Sequence, residues 1–370
     1  MIKYGKQWIC AALCALLLIG TAGCKTNDPD TEHNASGTNS SDDFGEDTIR
    51  VEGGAEEGQT SMQTLPTPQQ RPSSEPGATP FPTRAPIEGD VATGTFPDYD
   101  TGRDADWSYQ SDELRVAIKR YENTEDQIVF YVADIWVRNI ASFRMGFGNG
   151  KFDSGRENPE DFAKREHAIF AVSGTMNSGL VIHNGVKYKG VEKSDITFRS
   201  GIVVIYRDGS VKTINRAKKQ SFNNKAEDQN NGGILHAFQF GPILVQNGEI
   251  PSGLKQNGRH PRIMFGYYEP GHYVMVAVDG RTKKSIGMTE QEMAELMQSL
   301  GCKDAMNLDG GNSAVMLFMG KTINTPSGKD KDGDGIAGRN IVDMLAFAEY
   351  DAEGNAPELK DVHASKSDGE

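Results

Sequence analysis

The sequence predicts an α+β domain: a mixed, mainly antiparallel sheet with few helices and one strand–helix–strand crossover. Three observations support this prediction. Runs rich in Val, Ile and aromatic residues recur between residues 107 and 350, as expected for β-strands. Asn-Gly and Asp-Gly pairs stand between several of these runs and favour the tight turns of hairpins. One segment, residues 289–300, has the apolar spacing of an amphipathic helix.

The strands are predicted from alternating or short apolar runs. "LRVAIKRY" (114–121) and "IVFYVADIWV" (128–137) alternate, and "HAIFAVSG" (167–174) is a short apolar run that ends in glycine. The last pattern is typical of a buried strand that enters a turn. Three hairpins are predicted, with turns at Asn184-Gly185, Asp208-Gly209 and Asn247-Gly248.

The helix is predicted from its capping residues as well as its periodicity. Thr289 is the expected N-cap, and Glu292 three residues later completes a capping box. Gly301 supplies the stop signal. The helix lies between two predicted strands, "YVMVAVDGR" and "DAMNLDGG", an arrangement that usually makes a crossover. If these two strands are parallel neighbours, their carboxyl ends lie together.

The N-terminus predicts export and a lipid anchor. Lys3 and Lys6 precede a short apolar run and small residues, the anatomy of a secretory signal over residues 1–23. The residues around Cys24, "TAGC", resemble a bacterial lipobox, so we expect Cys24 to carry lipid and to hold the protein on the extracellular face of the bacterial cell membrane. An ordinary signal peptide or a short anchor is the alternative.

Three further regions follow from composition. Residues 24–106 are rich in Pro, Ser, Thr and acids, so they predict a disordered tether. The folded domain is predicted at 107–350 and a polar tail at 351–370.

The net charge of −13 over 370 residues argues against nucleic acid as a partner. Cys302 is the one thiol left for the domain, and a buried structural role is expected for it.

Acids and glycines collect where the crossover strands end. Asp279 closes the strand before the helix, and Asp309 closes the strand after it. Ligands favour the carboxyl ends of strands joined by crossovers, so both acids are expected to face one cleft. Gly310 and Gly311 let the backbone approach a ligand closely, and their N–H groups can donate to an anion. The alternative is an Asp-Gly turn that caps its own backbone.

Arginines are the second candidate group. Arg262, Arg281 and Arg339 stand near these acidic strand ends in an acidic chain, which suggests an anionic ligand, because a guanidinium binds phosphate or carboxylate in bidentate fashion. Structural ion pairing is the alternative for each. Neither His236 nor His260 has a partner at metal-ligand spacing.

A calcium loop is a further candidate. "DKDGDG" resembles the start of one, but its twelfth position is Ile341 in place of a bidentate Glu. An incomplete Ca²⁺ site and an acidic solvated loop both remain open. The candidate metal ligands are Asp330, Asp332 and Asp334.

Several of these motifs together resemble a known family. "HPRIMFG", "VAVDGR", "SIGMTEQEMAELMQSLGCKDAMNLDGGNSAVM" and "GRNIVDMLAF" follow in the order and spacing of the phosphodiester glycosidase domain, and the likeness covers nearly all of residues 109–350. The resemblance implies hydrolysis of a sugar linked through its anomeric carbon to a phosphodiester. It implies Asp309 and Asp279 as catalytic acids. The substrate-binding residues that it implies are Arg262, Arg281, Arg339, Asn307, Gly310, Gly311, Asn312, Ser313 and Thr175.

The chain departs from the family pattern at two places. Where the bacterial pattern reads about "NGD" and an aromatic residue, this chain has "SGTM", so Thr175 replaces an acid by a hydroxyl that is neutral at pH 7. The family's "NLDGGGSS" is "NLDGGNSA" here, and Asn312 replaces a glycine. A side chain at this position is expected to narrow the pocket and to alter substrate choice.

Three functions follow as hypotheses. The first is a surface-tethered glycosidase that cleaves sugar phosphodiesters in cell-wall glycans or exopolysaccharide. The second is a non-catalytic relative that binds phosphate-bearing glycans, which the change at Thr175 favours. The third is a structural wall protein, which the retained acids and Arg262 disfavour, because an unused site has no reason to keep both signs of charge.

Overall fold

Three antiparallel sheets form the framework of the part of the chain that the structure, a computed structural model, describes: residues 105–191, 200–327 and 339–349. The elements in chain order are β1 (Trp107–Gln110), β2 (Leu114–Asn123), β3 (Ile128–Val137), β4 (Phe143–Phe147), α1 (Pro159–Arg165), β5 (Phe170–Ser173), β6 (Val181–His183), β7 (Val186–Lys189), β8 (Gly201–Tyr206), β9 (Val211–Asn215), α2 (Asn224–Glu227), β10 (Ile234–Phe240), β11 (Ile243–Gln246), β12 (Arg262–Glu269), β13 (His272–Val278), α3 (Glu290–Ser299), β14 (Asp304–Asn307), β15 (Met316–Phe318), β16 (Lys321–Thr322) and β17 (Asp343–Phe347). The predicted α+β class is confirmed.

The sheets differ in size and in the order of their strands. A seven-stranded sheet has the order β1-β2-β3-β13-β12-β14-β11. One five-stranded sheet has the order β7-β6-β10-β8-β9, and the other has the order β16-β15-β5-β17-β4. Every strand pair between described residues is antiparallel.

A shared aromatic core joins these sheets. The Phe143 ring, on β4, packs against Phe347 of β17 at 4.5 Å between ring centroids, and against Tyr273 of β13 at 5.3 Å. All three side chains are at most 1% exposed. Full burial of one such side chain contributes about 1.5–3 kcal/mol. The core therefore fixes the large sheet, which carries the candidate site, against a smaller sheet.

The predicted helix is confirmed in its position and its caps. The Thr289 side chain accepts from the Glu292 N–H, and the Glu292 side chain accepts from the Thr289 N–H. Met293 and Met297 are fully buried against the seven-stranded sheet, beside Cys302. Cys302 is a buried free thiol, as expected. Gly301 takes φ +84° where the helix stops.

The two strands joined by the helix are parallel but are not neighbours in the sheet. Strands β13 and β14 run in the same direction, but β12 lies between them and pairs antiparallel with both. The helix therefore carries the chain across one intervening strand. The ends of β13 and β14 still reach the same edge of the sheet, where β12 begins.

Two of the three predicted hairpins are confirmed and one is wrong. The turns at Asn184-Gly185 and Asp208-Gly209 join paired strands. At Asn247-Gly248 the chain turns, but only the isolated bridge between Gln246 and Glu249 follows. Pro251 comes next and has no N–H to donate to a returning strand, while β11 pairs with β14.

The predicted signal, most of the tether, Cys24 and the polar tail lie outside the described residues. Among the helices that the structure describes, none combines the length and the apolar composition needed to cross a membrane.

Candidate active site

One edge of the seven-stranded sheet collects charges of both signs. The first residue of β12, Arg262, pairs with Val278 at the end of β13, and Met264 pairs with Asn307 at the end of β14. Asp279 follows β13 directly, and Asp309 comes two residues after β14. The antiparallel middle strand therefore delivers Arg262 to the edge where the two acids stand.

Asp309 is the carboxylate of this edge that remains partly exposed. Its Oδ1 accepts the N–H of Gly310 at 2.9 Å, and its carboxylate also accepts the Ser313 hydroxyl. Its own N–H donates to the carbonyl of Gly174 at 3.0 Å. Burial raises the pKa of Asp309 to about 6, and the negative charge of Asp343 adds to that effect. The group is therefore mostly ionised at pH 7 and titrates near neutrality.

Asp279 is turned toward the protein. It is 3% exposed, and its Oδ1 accepts from Asn324 Nδ2 at 3.2 Å and from the Thr325 N–H at 2.9 Å. Burial raises its pKa to about 6, against the opposing effect of these donors. The carboxylate holds the 324–325 segment in place. The predicted direct contact of Asp279 with a substrate does not fit this geometry, because the side chain is buried and its Oδ1 accepts from two protein groups.

Asp343 is the third acid of this region and the second that is buried, and it was not predicted as a site residue. It is 3% exposed on β17 and accepts from the backbone N–H groups of Thr175 (2.7 Å), Met176 (2.8 Å) and Asn177 (3.3 Å). The Thr175 hydroxyl also donates to it at 2.9 Å. Burial raises the pKa of Asp343. The signal in the sequence was an acid inside the apolar run "NIVDMLAF".

Thr175 therefore has a partner of its own and is not a residue that faces a ligand. It is 1% exposed, and its N–H and its hydroxyl both reach Asp343. The loop continues through Met176 and Asn177, which both take left-handed backbone angles, with φ of 60° and 50°. Such conformations cost energy in residues other than glycine and gather at functional sites.

Gly310 lets the chain pass close to the backbone of Pro261, Gly311 takes a positive φ, and neither glycine presents a free amide. The Gly310 N–H donates to Asp309, and the Gly311 N–H donates to the carbonyl of Pro261 at 3.0 Å. Their predicted role as donors to a substrate is therefore wrong for this geometry. A Cβ at Gly310 would stand 2.5 Å from the Pro261 oxygen and 3.5 Å from Cδ of Arg262. At Gly311, where φ is +61°, it would stand 3.5 Å from Nη1 of Arg281.

Arg262 is the unpaired cation of this edge. Its Nε is buried without a hydrogen-bond partner, and none of the ion pairs between described residues involves it. Burial lowers its pKa, and the negative charges of Glu290 and Asp309 partly offset that effect. A buried donor without a partner is costly, so the Nε of Arg262 is expected to serve an anionic ligand that reaches this partly exposed side chain.

Arg281 and Arg339 meet at Asn312. Nη1 of Arg281 donates to Asn312 Oδ1 at 3.2 Å, and the backbone N–H of Arg339 donates to the Asn312 carbonyl at 3.0 Å. Ser327 Oγ donates to the same Oδ1 at 3.0 Å. The residue that replaces a family glycine therefore holds Arg281, whose backbone is left-handed at φ 57°. The side chain of Ser313 binds Asp309, as described above.

Asn307 is tied to the backbone beneath the site. It is 1% exposed, and its Nδ2 donates to the carbonyl of Gly241 at 2.8 Å. Its N–H donates to the carbonyl of Pro242 at 3.0 Å. The predicted contact with a substrate does not fit this position, because the side chain is buried and fixes the end of β14.

His260 is a second residue that the sequence analysis did not assign to the site. It is partly exposed, and burial lowers its pKa, to which the positive charges of Arg262 and Arg281 add. The imidazole is therefore neutral at pH 7 and lies among the cations of this edge.

The described residues contain no group of three or more His, Cys, Asp or Glu side chains that could hold a metal ion. The predicted Ca²⁺ ligands Asp330, Asp332 and Asp334 lie outside the residues that the structure describes.

Comparison with known proteins places this edge in a family. The family model for the phosphodiester glycosidase domain matches residues 161–348, about half of the chain. The chain belongs to the phosphodiester glycosidase family. The matched residues include Arg262, Asp279, Asp309 and Asp343. The family connects the chain with glycosidases that act on phosphodiesters.

Two curated proteins are similar to this member of the family. The SPbeta prophage-derived uncharacterized protein YomE of Bacillus subtilis is 31% identical over 207 residues, which are 52% of this chain and 30% of that protein. N-acetylglucosamine-1-phosphodiester alpha-N-acetylglucosaminidase of Bos taurus is 26% identical over 199 residues, which are 53% of this chain and 33% of that protein. The chain thus spans about a third of the length of these relatives.

A solved structure shares the fold. The catalytic domain of zebrafish N-acetylglucosamine-1-phosphodiester alpha-N-acetylglucosaminidase, auto-inhibited by its pro-peptide, matches with a TM-score of 0.53 at 20% identity. The match covers 65% of this chain and 85% of that domain.

Proposed function

We propose that the protein is a surface-tethered glycoside hydrolase that cleaves sugar-phosphodiester linkages in cell-wall or extracellular glycans. One observation carries the proposal. A partly exposed carboxylate, Asp309, stands at the same sheet edge as Arg262, which is also partly exposed and whose buried Nε has no hydrogen-bond partner. In this arrangement the Asp309 carboxylate acts at the anomeric carbon of the sugar, and Arg262 binds the phosphate attached to that carbon.

The reaction needs few protein groups. The bond between the anomeric carbon and the phosphate oxygen breaks, and water supplies the hydroxyl of the free sugar. The leaving phosphate monoester carries its charge as a stable anion, so it needs little protonation. Asp309 acts at the anomeric carbon as nucleophile, as base toward water or by stabilising oxocarbenium charge. Its pKa of about 6 suits a base that works near neutral pH.

The arginines at this edge bind the phosphate and adjust the charge around Asp309. Arg262 binds the phosphate that becomes the leaving group, since its Nε has no partner within the protein. Arg281, held by Asn312, binds the same phosphate from the opposite side of Gly310 and Gly311. Arg339 adds positive charge near Asp309 and lowers the pKa of that acid.

Two buried acids hold the segments beside this site. Asp279 fixes the segment at Asn324 and Thr325, and Asp343 fixes the loop at Thr175–Asn177. Both are positioning residues, because protein groups occupy their oxygens. The acid that the family pattern has at position 175 is replaced here by a donor to Asp343. This replacement leaves Asp309 as the acid that faces solvent.

The location of the enzyme follows from the N-terminal sequence. A lipid on Cys24 and a tether over residues 24–106 would hold the domain at the extracellular face of the bacterial membrane, within reach of phosphate-bearing wall polymers and exopolysaccharide.

A second candidate function is binding without turnover. The departure at Thr175 favours it, since the chain lacks an acid where the family pattern has one. Such a protein would bind sugar phosphodiesters through Arg262 and Arg281 without releasing free sugar.

One experiment separates these functions. The full chain is incubated with methyl phosphodiesters of several sugar 1-phosphates in ¹⁸O-labelled water, with and without Ca²⁺, and the products are identified by mass spectrometry. The glycosidase places ¹⁸O on the free sugar. Label on methyl phosphate would mean that the P–O bond breaks, which contradicts the proposal. Binding without any product would support the second candidate.

A further inference from the structure

A second cleft adjoins the loop that Asp343 holds. It has a volume of about 220 Å³, and its wall includes Met176, Asn177, Phe152 and Lys189. Met176 and Asn177 donate their N–H groups to Asp343, and the preceding Gly174 accepts the N–H of Asp309. The cleft and the partly exposed Asp309 therefore both adjoin one short loop, residues 174–177: the cleft at Met176 and Asn177, and Asp309 at Gly174.

One aromatic side chain, Phe152, lines this cleft, and the rings of Tyr188 and Phe147 pack against it. The Tyr188 ring on β7 lies 5.3 Å from Phe152 and 5.1 Å from Phe147, measured between ring centroids. Tyr188 is 43% exposed and Met176 is 39% exposed, although both are large and mostly apolar. Exposed apolar surface beside a reactive loop indicates a binding surface.

The shape and chemistry of the cleft fit a sugar ring. Its volume is below the roughly 300–1,000 Å³ of pockets that hold drug-sized ligands, so it suits a single small ring. The C–H face of a pyranose is apolar and packs on the electron-rich face of an aromatic ring, while its hydroxyls need polar partners at the edge. Lys189 supplies a polar group in the wall of the cleft.

The polar rim is held in a fixed geometry. Lys189 Nζ donates to the carbonyl of Asn177 at 3.0 Å, which ties β7 to the loop. Ser154 and Asn149 hydrogen-bond within the 148–154 turn that carries Phe152. The aromatic surface and the loop of Asp343 are thus linked by direct contacts.

We propose that this cleft binds a second pyranose ring of the glycan, next to the sugar whose anomeric bond is broken. The inference rests on the proposed function for the identity of the reacting sugar. It adds that the natural substrate is a chain of sugars, and that Tyr188 and Phe152 determine the preference for such chains.

The test uses the full chain and measures binding separately from turnover. Neutral trisaccharides of glucose and of N-acetylglucosamine, which lack phosphate, are titrated by isothermal calorimetry. The wild type is expected to bind at least one of them. Tyr188→Ala and Phe152→Ala should weaken that binding about tenfold or more, as loss of an aromatic contact does. Tyr188→Phe should keep most of it, because the ring remains. Asp309→Asn should bind as the wild type does.

A matched control lies on the same strand. Lys187 is exposed on β7 and, unlike Tyr188, has no ring that packs on the cleft residue Phe152, so Lys187→Ala should leave binding unchanged. Unfolding temperatures of all variants show whether the fold is kept. No binding of either trisaccharide by the wild type, or equal binding by a folded Tyr188→Ala variant, would overturn the proposal.

Turnover gives an independent second readout. For a phosphodiester with a disaccharide attached, kcat/KM should exceed that for the methyl ester, and Tyr188→Ala should remove the difference while the methyl ester reacts as before. If trisaccharides bind through Tyr188 but no phosphodiester is cleaved, the proposed sugar binding in the cleft is supported and the proposed hydrolysis is contradicted. If the esters are cleaved and no trisaccharide binds, the cleft proposal fails alone.

Discussion

The Thr175 hydroxyl donates a hydrogen bond to Asp343 at 2.9 Å, and both residues are almost fully buried. The position at which the family pattern has an acid is thus occupied by a donor to another acid. A carboxylate in both places would put two like charges side by side in the interior, where their repulsion is weakly screened. The substitution is compatible with a working site, because Asp309 keeps its position on Gly174.

The first prediction concerns this hydrogen bond. Thr175→Val keeps the shape of the side chain and removes the donor, so it should lower the free energy of unfolding by about 1–3 kcal/mol. Chemical denaturation measures the change. Ser178→Ala is the matched control, since Ser178 Oγ is buried and has no hydrogen-bond partner. It should change stability by less than about 0.5 kcal/mol. Equal effects of the two variants would show that the Asp343 contact contributes nothing.

The second prediction concerns pH. Burial raises the pKa of Asp279 to about 6, above the value of about 4 of an unfolded chain. Between these values the folded state holds a proton that the unfolded state has lost. This contribution to stability is therefore present below about pH 4 and is lost as the pH rises through 6, by about 2–3 kcal/mol.

Asp279→Asn tests this sign directly. Asparagine does not titrate, so the variant should gain stability relative to the wild type as the pH rises from 4 to 6. Denaturation curves at four pH values between 4 and 7 measure the difference between the two proteins, which cancels the other buried acids. A difference that stays constant across this range would contradict the raised pKa of Asp279.

The third prediction concerns Arg262. Arg262→Met removes a buried donor, Nε, that has no protein partner, and puts an apolar chain of similar length in its place, so stability should be unchanged or higher by about 1–3 kcal/mol. Binding of inorganic phosphate, followed by calorimetry, should be lost. Arg259→Met is the control, because Arg259 pairs with Glu292 and donates to the carbonyl of Asp126. It should keep phosphate binding. A strongly destabilised Arg262→Met protein would show that Arg262 serves the fold.

The fourth prediction concerns Asn312. Its Oδ1 holds both Arg281 and Ser327, so Asn312→Gly should free the Arg281 side chain. One such hydrogen bond contributes about 0.5–1.5 kcal/mol, so KM for a methyl phosphodiester should rise about two- to tenfold with little change in kcat. Steady-state kinetics measures both constants. An unchanged KM would mean that Asn312 does not position Arg281 for the substrate.

The parts of this fold that the sequence could predict are local. The capping box at Thr289, the turns at Asn184 and Asp208 and the strand limits of β3 depend on residues a few positions apart. The failed hairpin at Asn247 also shows the limit of local signals. An Asn-Gly pair sets the turn, but β14 competes for the strand that precedes it.

The parts of the site that the sequence could not predict depend on distant segments. Nothing in the spacing shows that β12 inserts between β13 and β14 and brings Arg262 to the edge. Likewise, Asp343 and Thr175 are 168 positions apart, and only the pairing of β5 with β17 brings them together. The predicted donation of the Gly310 and Gly311 N–H groups to a substrate failed for a similar reason. These groups donate to Asp309 and Pro261, and the sequence does not show the loop conformation that brings them together.

The central claim is that Asp309 performs the chemistry at this edge. Its most direct test compares release of free sugar from the methyl phosphodiester of N-acetylglucosamine 1-phosphate by the full chain and by Asp309→Asn. We expect the substitution to lower kcat by about 10²–10⁴-fold, while the unfolding temperature and phosphate binding stay close to those of the wild type. A folded Asp309→Asn protein that releases sugar at the wild-type rate would contradict the account.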